Sequence, residues 1–198
     1  MQMLLSSGSP RRKELLSLLG IPFQVVAPNI PEIQQRDETP ETFCLRISKE
    51  KALEVAQKHT AALVIGADTI VVIDGMILGK PRDTSEAYDF LMLLQNKIHT
   101  VLTGYTITLG NHSISKVVKT KVHFRAMTAK EISWYISTGE PMDKAGAYAV
   151  QGIGSLFIKE IHGCYTNVIG LPLSHLYKDL IKFGIQLQSL PVRRRNES

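Results

Sequence analysis

Apolar positions along the chain change their spacing several times, and each change marks an element. Residues 2–6 (QMLLS) are a short apolar run followed by SGSP, after which Leu15, Leu16, Leu18 and Leu19 recur at helical spacing until Gly20. This predicts strand, loop and helix, with Ser9 at the N-cap and Pro10 as the first helical residue. Arg11 and Arg12 then fall in the first turn, where the helix dipole prefers acids. Two cations beside exposed backbone N–H groups are locally unfavourable until an anion arrives, so the opening reads as an anion site. Residues 23–27 predict a second strand. Residues 28–40 carry three prolines and Glu32, and read as a loop of functional length that leads into a helix over 41–58.

The run ALVIGADTIVVIDGMILGKP, residues 62–81, predicts an apolar strand ending at Gly66-Ala67-Asp68-Thr69, a further strand, an Asp74-Gly75 turn and a short return strand before Gly79-Lys80-Pro81. On this reading a buried strand delivers the Asp68 carboxylate at its end. Residues 84–96 are helical in pattern. IHTVLTGYTITL and HSISKVVKTKVHF flank Gly110-Asn111, a link suited to a type II′ hairpin. Thr128 with Glu131 forms a capping box opening a helix that stops at Gly139. Residues 139–155, GEPMDKAGAYAVQGIGS, hold too many glycines for a regular element and suggest a loop lying close to a ligand. FIKEI predicts the last strand and LPLSHLYKDLIKFG a helix ending at Gly184. Residues 186–198 have no period and are expected to be a disordered basic tail, most clearly from 188 onward. No repeat of 20–50 residues is present, which excludes a solenoid.

Composition narrows the class without choosing a function. The 198 residues are 44% apolar and 21% charged, the balance of a folded domain long enough to bury a core. The N-terminus has its basic pair after a short apolar stretch, the reverse of a signal peptide, and no run reaches membrane-spanning length. Cys44 and Cys164 lack CxxC spacing and read as structural residues of a reducing compartment. Basic residues exceed acidic ones by five, three of them Arg193, Arg194 and Arg195. Such a surplus suits any acidic ligand, so placement has to decide.

The candidate chemistry is that of phosphate. Arg11, Arg12, Lys51, Lys80 and Lys144 sit in or near turns and helix starts, where cations clamp phosphate oxygens, although each lysine alone is equally well read as a solvated surface residue. Asp68 and Glu32 are carboxylates suited to Mg²⁺, which takes one or two protein oxygens and completes its shell from phosphates and water. The bland reading of Asp68, a structural acid satisfied by backbone N–H groups, stays open on the residues alone. Other chemistries fit less well. Gly75 to Pro81 has the wrong glycine spacing for a Walker loop, and proline stands where Ser or Thr would be needed. No HxxxH or HExxH pair supports zinc, and Ser7-Gly8-Ser9 is not a GxSxG elbow.

Taken in order, SGSPRR at residue 7, the PE-containing loop, SKEKA around Lys51, GADT at 66, GKP at 79, GEPMDKAGAYAVQG at 139 and TNVIGLP at 166 resemble the successive blocks of the Maf family of nucleotide pyrophosphatases. The resemblance runs from about residue 3 to 184 and is most specific in DKAGAYAVQG. It implies an elongated α/β fold with a mixed sheet and two lobes around a deep cleft, similar to the inosine triphosphate pyrophosphatases, with residues 1–187 as one such domain. It further implies a cytoplasmic, often dimeric enzyme that uses Mg²⁺ or Mn²⁺ to split a nucleoside triphosphate into monophosphate and pyrophosphate. Asp68 matches the family's proton acceptor. Ser7, Arg11, Arg12, Glu32, Lys51, Lys80 and Gln151 match its cleft residues, and Lys144 is added to them.

Three positions speak to the substrate. Family members acting on dTTP and UTP have the SPRR opening, Thr after the catalytic Asp and Gln in the AxQG block, whereas the 7-methyl-GTP branch inserts Trp into the opening. Arg11, Thr69 and Gln151 here resemble the first group. A glutamine amide offers both a donor and an acceptor, as the O4/N3–H edge of uracil or thymine requires, so Gln151 is the expected base reader. The competing expectations are a pyrophosphatase for modified or purine triphosphates, and a non-catalytic regulator of septum formation that binds nucleotide. Nucleic acid is disfavoured as a partner because short Arg runs at chain ends are ordinarily solvated.

Overall fold

The computed structural model describes residues 1–186. In chain order its regular elements are β1 (Met3–Ser6), α1 (Pro10–Ser17), β2 (Gln24–Val26), α2 (Pro40–Ala56), β3 (Leu63–Ile73), β4 (Met76–Leu78), α3 (Thr84–Leu94), β5 (Ile98–Leu109), β6 (His112–Phe124), α4 (Ala129–Ser137), β7 (Ile158–His162), α5 (Tyr165–Ile169) and α6 (Leu173–Leu180). The expected tail at 188–198 lies outside the described residues. No described helix is long and apolar enough to cross a membrane.

The strands form one mixed sheet in the order β2-β1-β3-β5-β6-β7, with β4 beside part of β3. β1 runs parallel to β2 and β3, and the rest of the sheet is antiparallel. The β5–β6 hairpin turns at Gly110-Asn111 with φ of +57° at Gly110, as a residue without Cβ allows.

The apolar alternation along β3 divides the core. Leu63, Ile65 and Ala67 join β1, α1 and α6 in one cluster, while Val71 and Ile73 join α3, α4 and Phe124 in another. Thr69 lies between them on the same face. The opposite face of β3 is covered by α2, with Val64 and Ile70 in two smaller clusters. Two core clusters thus share one strand, and the polar interruption at 68–69 falls between them.

β3 itself corrects the sequence expectation. Asp68 does not end a strand, and residues 63–73 form a single strand with Asp68 at its middle. What ends there are its neighbours. β1 pairs with β3 only as far as Ser6 opposite Gly66, and β4 begins pairing at Val71 opposite Leu78. Residues 67–70 therefore keep β5 on one side and have an open edge on the other. The gap gives Asp68 and Thr69, which point to opposite faces, a common outlet.

Small residues let α2 approach this stretch. A Cβ on Gly66 would stand 2.5 Å from the Ser48 carbonyl oxygen, and one on Gly104, opposite Asp68, 2.5 Å from that of Cys44. Any side chain at either position would force backbone apart. This proximity brings Lys51, on α2, within reach of Asp68.

Candidate active site

A cleft of about 830 Å³ opens at the gap in the sheet, and every one of the ten residues singled out from the sequence lines it: Ser7, Arg11, Arg12, Glu32, Lys51, Asp68, Thr69, Lys80, Lys144 and Gln151. Five cations face three carboxylates there, the third being Asp143. The surplus is positive, as an anionic ligand requires.

The floor is an ion triad, buried at Lys51 and Asp68 and open at Glu32. Lys51 Nζ donates to Asp68 Oδ1 at 2.7 Å and lies 2.7 Å from Glu32 Oε1. The Lys51 and Asp68 side chains are 7% and 5% exposed, whereas Glu32 is 54% exposed. An ammonium removed from water needs such partners, since deleting one carboxylate from a buried pair leaves an uncompensated charge. Glu32 reaches it because its loop is pinned to α2. Arg46 bonds both oxygens of Glu38, at 2.7 and 2.8 Å, and the Ile33 carbonyl at 2.9 Å. Cys44 lies beneath, its thiol directed at the Asp68 carbonyl at 3.3 Å. Burial, with Asp68 adding to it, pushes that thiol up to about 12, so Cys44 stays protonated and acts as a packing residue.

The first wall is the start of α1. Ser9 occupies the N-cap position with Pro10 following, as expected, but the Ser9 hydroxyl makes no capping bond. Ser7 Oγ instead accepts the Ser9 N–H at 3.2 Å and Arg12 Nη1 at 3.2 Å. Arg12 also donates from Nε to the Gly170 carbonyl at 2.9 Å and from Nη2 to Thr69 Oγ1 at 3.0 Å. Thr69 Oγ1 lies 3.0 Å from Thr103 Oγ1, which bonds the Asn167 carbonyl at 2.9 Å. The ends of this chain fix its direction, because arginine can only donate and a carbonyl can only accept. Thr69 thus gives its proton to Thr103 and orients Arg12. Burial lowers the pKa of Arg12, with Asp68 opposing, yet a guanidinium stays charged in any protein environment.

The second wall is the glycine-rich segment. It contains no strand or α-helix and is built of 3₁₀ turns at Glu140–Asp143, Ala145–Ala147 and Ile153–Phe157. Gly146, at φ +68°, packs its bare Cα where a Cβ would be 2.9 Å from Val71 Cγ2, and its N–H donates to the Gly79 carbonyl at 2.9 Å. That bond joins the Lys80 loop to the Lys144 segment. The Gln151 side chain is exposed at the cleft.

Sequence reasoning missed Asp143, the Gly170 carbonyl and Tyr148. Asp143 accepts Arg11 Nη1 at 3.2 Å and pairs with Lys144, so it links the two walls. Its place beside Lys144 in the glycine-rich block was an available signal, and Gly170 lies in TNVIGLP. Nothing local marks Tyr148, whose hydroxyl lies 2.7 Å from Nε2 of the buried His99.

The sequence blocks converge on one positively charged cleft of the kind that handles phosphate, and comparison with known proteins gives the family. Residues 2–183 match the family described as Maf-like protein, and the chain belongs to it. A dTTP/UTP pyrophosphatase of Syntrophus aciditrophicus (strain SB) is 47% identical over 185 residues, covering 92% of this chain and 90% of that protein. One of Thermoanaerobacter sp. (strain X514) is 47% identical over 192 residues, covering 94% and 100% respectively. Among solved structures, the Staphylococcus aureus Ham1 protein matches at a TM-score of 0.40 and 13% identity over 63% of this chain and 71% of that one.

Proposed function

We propose that this chain is a nucleoside triphosphate pyrophosphatase acting on UTP and dTTP. The observation that carries the reading is the triad at the cleft floor, Lys51 at 2.7 Å from both Asp68 and Glu32, below a rim of Arg11, Arg12, Lys80 and Lys144. Relatives named for this activity, at 41–47% identity over nearly the whole chain, support the choice of substrate.

Asp68 accepts a proton from a water that attacks the α-phosphorus. The bond from that phosphorus to the bridging oxygen breaks, and pyrophosphate leaves with the charge that Arg11, Arg12, Lys80 and Lys144 stabilise. Lys51 holds Asp68 and Glu32 at one point. Asp68 and Glu32 would hold a hard divalent ion, Mg²⁺ or Mn²⁺, a class of ion that takes one or two protein carboxylates and draws the rest of its ligands from phosphate and water. When bound, such an ion supplies Lewis-acid neutralisation of phosphate charge. Gln151 reads the pyrimidine edge.

The test is pyrophosphate release across UTP, dTTP, CTP, purine and 7-methyl-GTP substrates with each metal, comparing wild type with Asp68→Asn. Turnover of the variant should fall by about 10²–10⁴ while its circular dichroism stays native. Near-normal turnover at saturating metal would remove Asp68 from the chemistry, and a preference for 7-methyl-GTP would reassign the substrate.

A further inference from the structure

Gln151 stands on irregular backbone, which does not by itself hold a side chain in one place. Two other side chains hold that backbone. Tyr135, on α4, donates its hydroxyl proton to Glu140 Oε1 at 2.8 Å. The same oxygen accepts the Gly154 N–H at 2.9 Å, and Oε2 accepts that of Ile153 at 3.0 Å. The Tyr135 hydroxyl oxygen in turn accepts the Ala149 N–H at 3.3 Å. The chain is therefore tied to one phenol–carboxylate pair on both sides of Gln151.

The available space shows how closely the segment is moulded to this pair. Gly152 has φ +84°, and a Cβ there would stand 2.5 Å from Glu140 Oε2. A Cβ on Gly154 would stand 2.5 Å from the Ala149 carbonyl and 2.6 Å from the Tyr135 hydroxyl. Ala147 is held at φ +58°, a conformation that is strained for a residue with a side chain and persists only where its surroundings enforce it. Burial alone would raise the Glu140 pKa, but the bonds from Gly154, Ile153 and Tyr135 outweigh it and hold the group below the usual carboxylate range. Glu140 is thus an acceptor-only group with three donors converging on it, and charge-assisted bonds of this kind are the strong ones.

We propose that Glu140, oriented by Tyr135, is a positioning residue for nucleobase selection: it fixes the reach of Gln151 into the cleft and acts on the choice of base and not on the phosphate chemistry. The proposal rests on Gln151 as the base reader. Glu140→Gln tests it with little change of shape, because it sets an NH₂ donor against a backbone N–H or the Tyr135 hydroxyl. Tyr135→Phe removes the phenol and leaves the carboxylate, so it carries the test if the first variant does not fold.

Both variants are compared with wild type and Gln151→Ala for kcat and KM on UTP and CTP, and for inhibition by inorganic tripolyphosphate, which has no base. Both should raise KM for UTP about tenfold and narrow the UTP/CTP ratio of kcat/KM by a similar factor, with kcat and the tripolyphosphate inhibition constant moving less than about twofold. Tripolyphosphate binding or kcat falling in step with UTP affinity would mean general damage to the cleft and overturn the proposal. If Gln151→Ala collapses the UTP/CTP ratio and the other two variants leave it unchanged, the positioning role alone is lost. If Gln151→Ala leaves the ratio unchanged, base reading by Gln151 fails and takes the proposal with it.

Discussion

On one wall of the cleft, Arg12 leaves the first turn of α1 and is gripped by three oxygens from three parts of the chain, Ser7, Thr69 and Gly170. On the other, Lys144 and Gln151 stand on a run of 3₁₀ turns whose shape comes from glycines and from the Tyr135–Glu140 pair. The first wall presents positive charge from a regular element backed by the sheet, and phosphate recognition asks for little more than charge in a fixed place. The second presents, beside the Lys144 ammonium, the neutral amide of Gln151 that we propose as the base reader, and meeting a base edge at hydrogen-bond distance demands finer placement. The difference suggests a division of labour between phosphate and base.

The largest departure that could break this division is at Arg12. A lysine there keeps the charge but cannot reach Ser7, Thr69 and Gly170 together as a planar fork does. Arg12→Lys should lower kcat/KM about 100-fold on every triphosphate alike, and lower stability in urea by about 1–3 kcal/mol through the unpaired groups it leaves. A loss confined to UTP and dTTP would show that the first wall also reads the base.

These walls differed in how far the sequence could disclose them. The first follows from local rules: Pro10 starts the helix, Leu15 and Leu16 are buried, Gly20 adopts φ +67° just past the end, and the two arginines fall in the first turn as the spacing requires. The capping box at Thr128 and Glu131 and the hairpin at Gly110 are local in the same sense and formed as expected. Asp68 shows the limit. Gly66 to Thr69 looked like punctuation between two strands, yet Gly66 is there to admit α2, and the pairing partner β5 continues past it. The cleft exists because β1 stops opposite Gly66 and the antiparallel β4 ends opposite Val71, a property of neighbours and not of the strand itself. Of the second wall, the glycines of residues 139–155 disclosed a loop close to a ligand, and the roles of its side chains were legible only as a resemblance. Tyr135 reads as an apolar position of a helix and Glu140 as an acid beyond its cap, and only tertiary folding brings them to Ala149, Ile153 and Gly154.

A smaller effect separates the walls by pH. Beneath the second wall, Tyr148 leans on His99, which burial lowers from 6.5 to about 3. The folded protein therefore keeps His99 neutral where the unfolded chain would protonate it. Stability from this site is complete above pH 6.5 and declines as pH falls from there towards 3, by about 1.4 kcal/mol per unit. His99→Gln, which can still bond Tyr148, should flatten this slope, reducing by about 2 kcal/mol the difference in urea stability between pH 6.5 and pH 5. An unchanged slope would place the acid sensitivity elsewhere.

The smallest expected effect concerns the ion pairs of Asp143 between the walls. Asp143 accepts Arg11 from the first wall and Lys144 from its own, and its side chain is 65% exposed. Exposed pairs contribute only about 0.2–1 kcal/mol, since water screens them and two long side chains must be held still. Asp143→Asn should therefore lower stability by less than about 1 kcal/mol. Its effect on binding should have the opposite sign. Removing a carboxylate that shares two phosphate-facing cations should tighten inorganic tripolyphosphate a few-fold, and the gain should shrink as rising salt shortens the screening length from about 10 Å at 0.1 M to about 3 Å at 1 M. Calorimetric titration at the two salt concentrations, beside urea unfolding, measures both. A loss of several kcal/mol in stability would mean that Asp143 fastens the walls into one unit, and substitutions on either side would then be felt in both phosphate and base recognition.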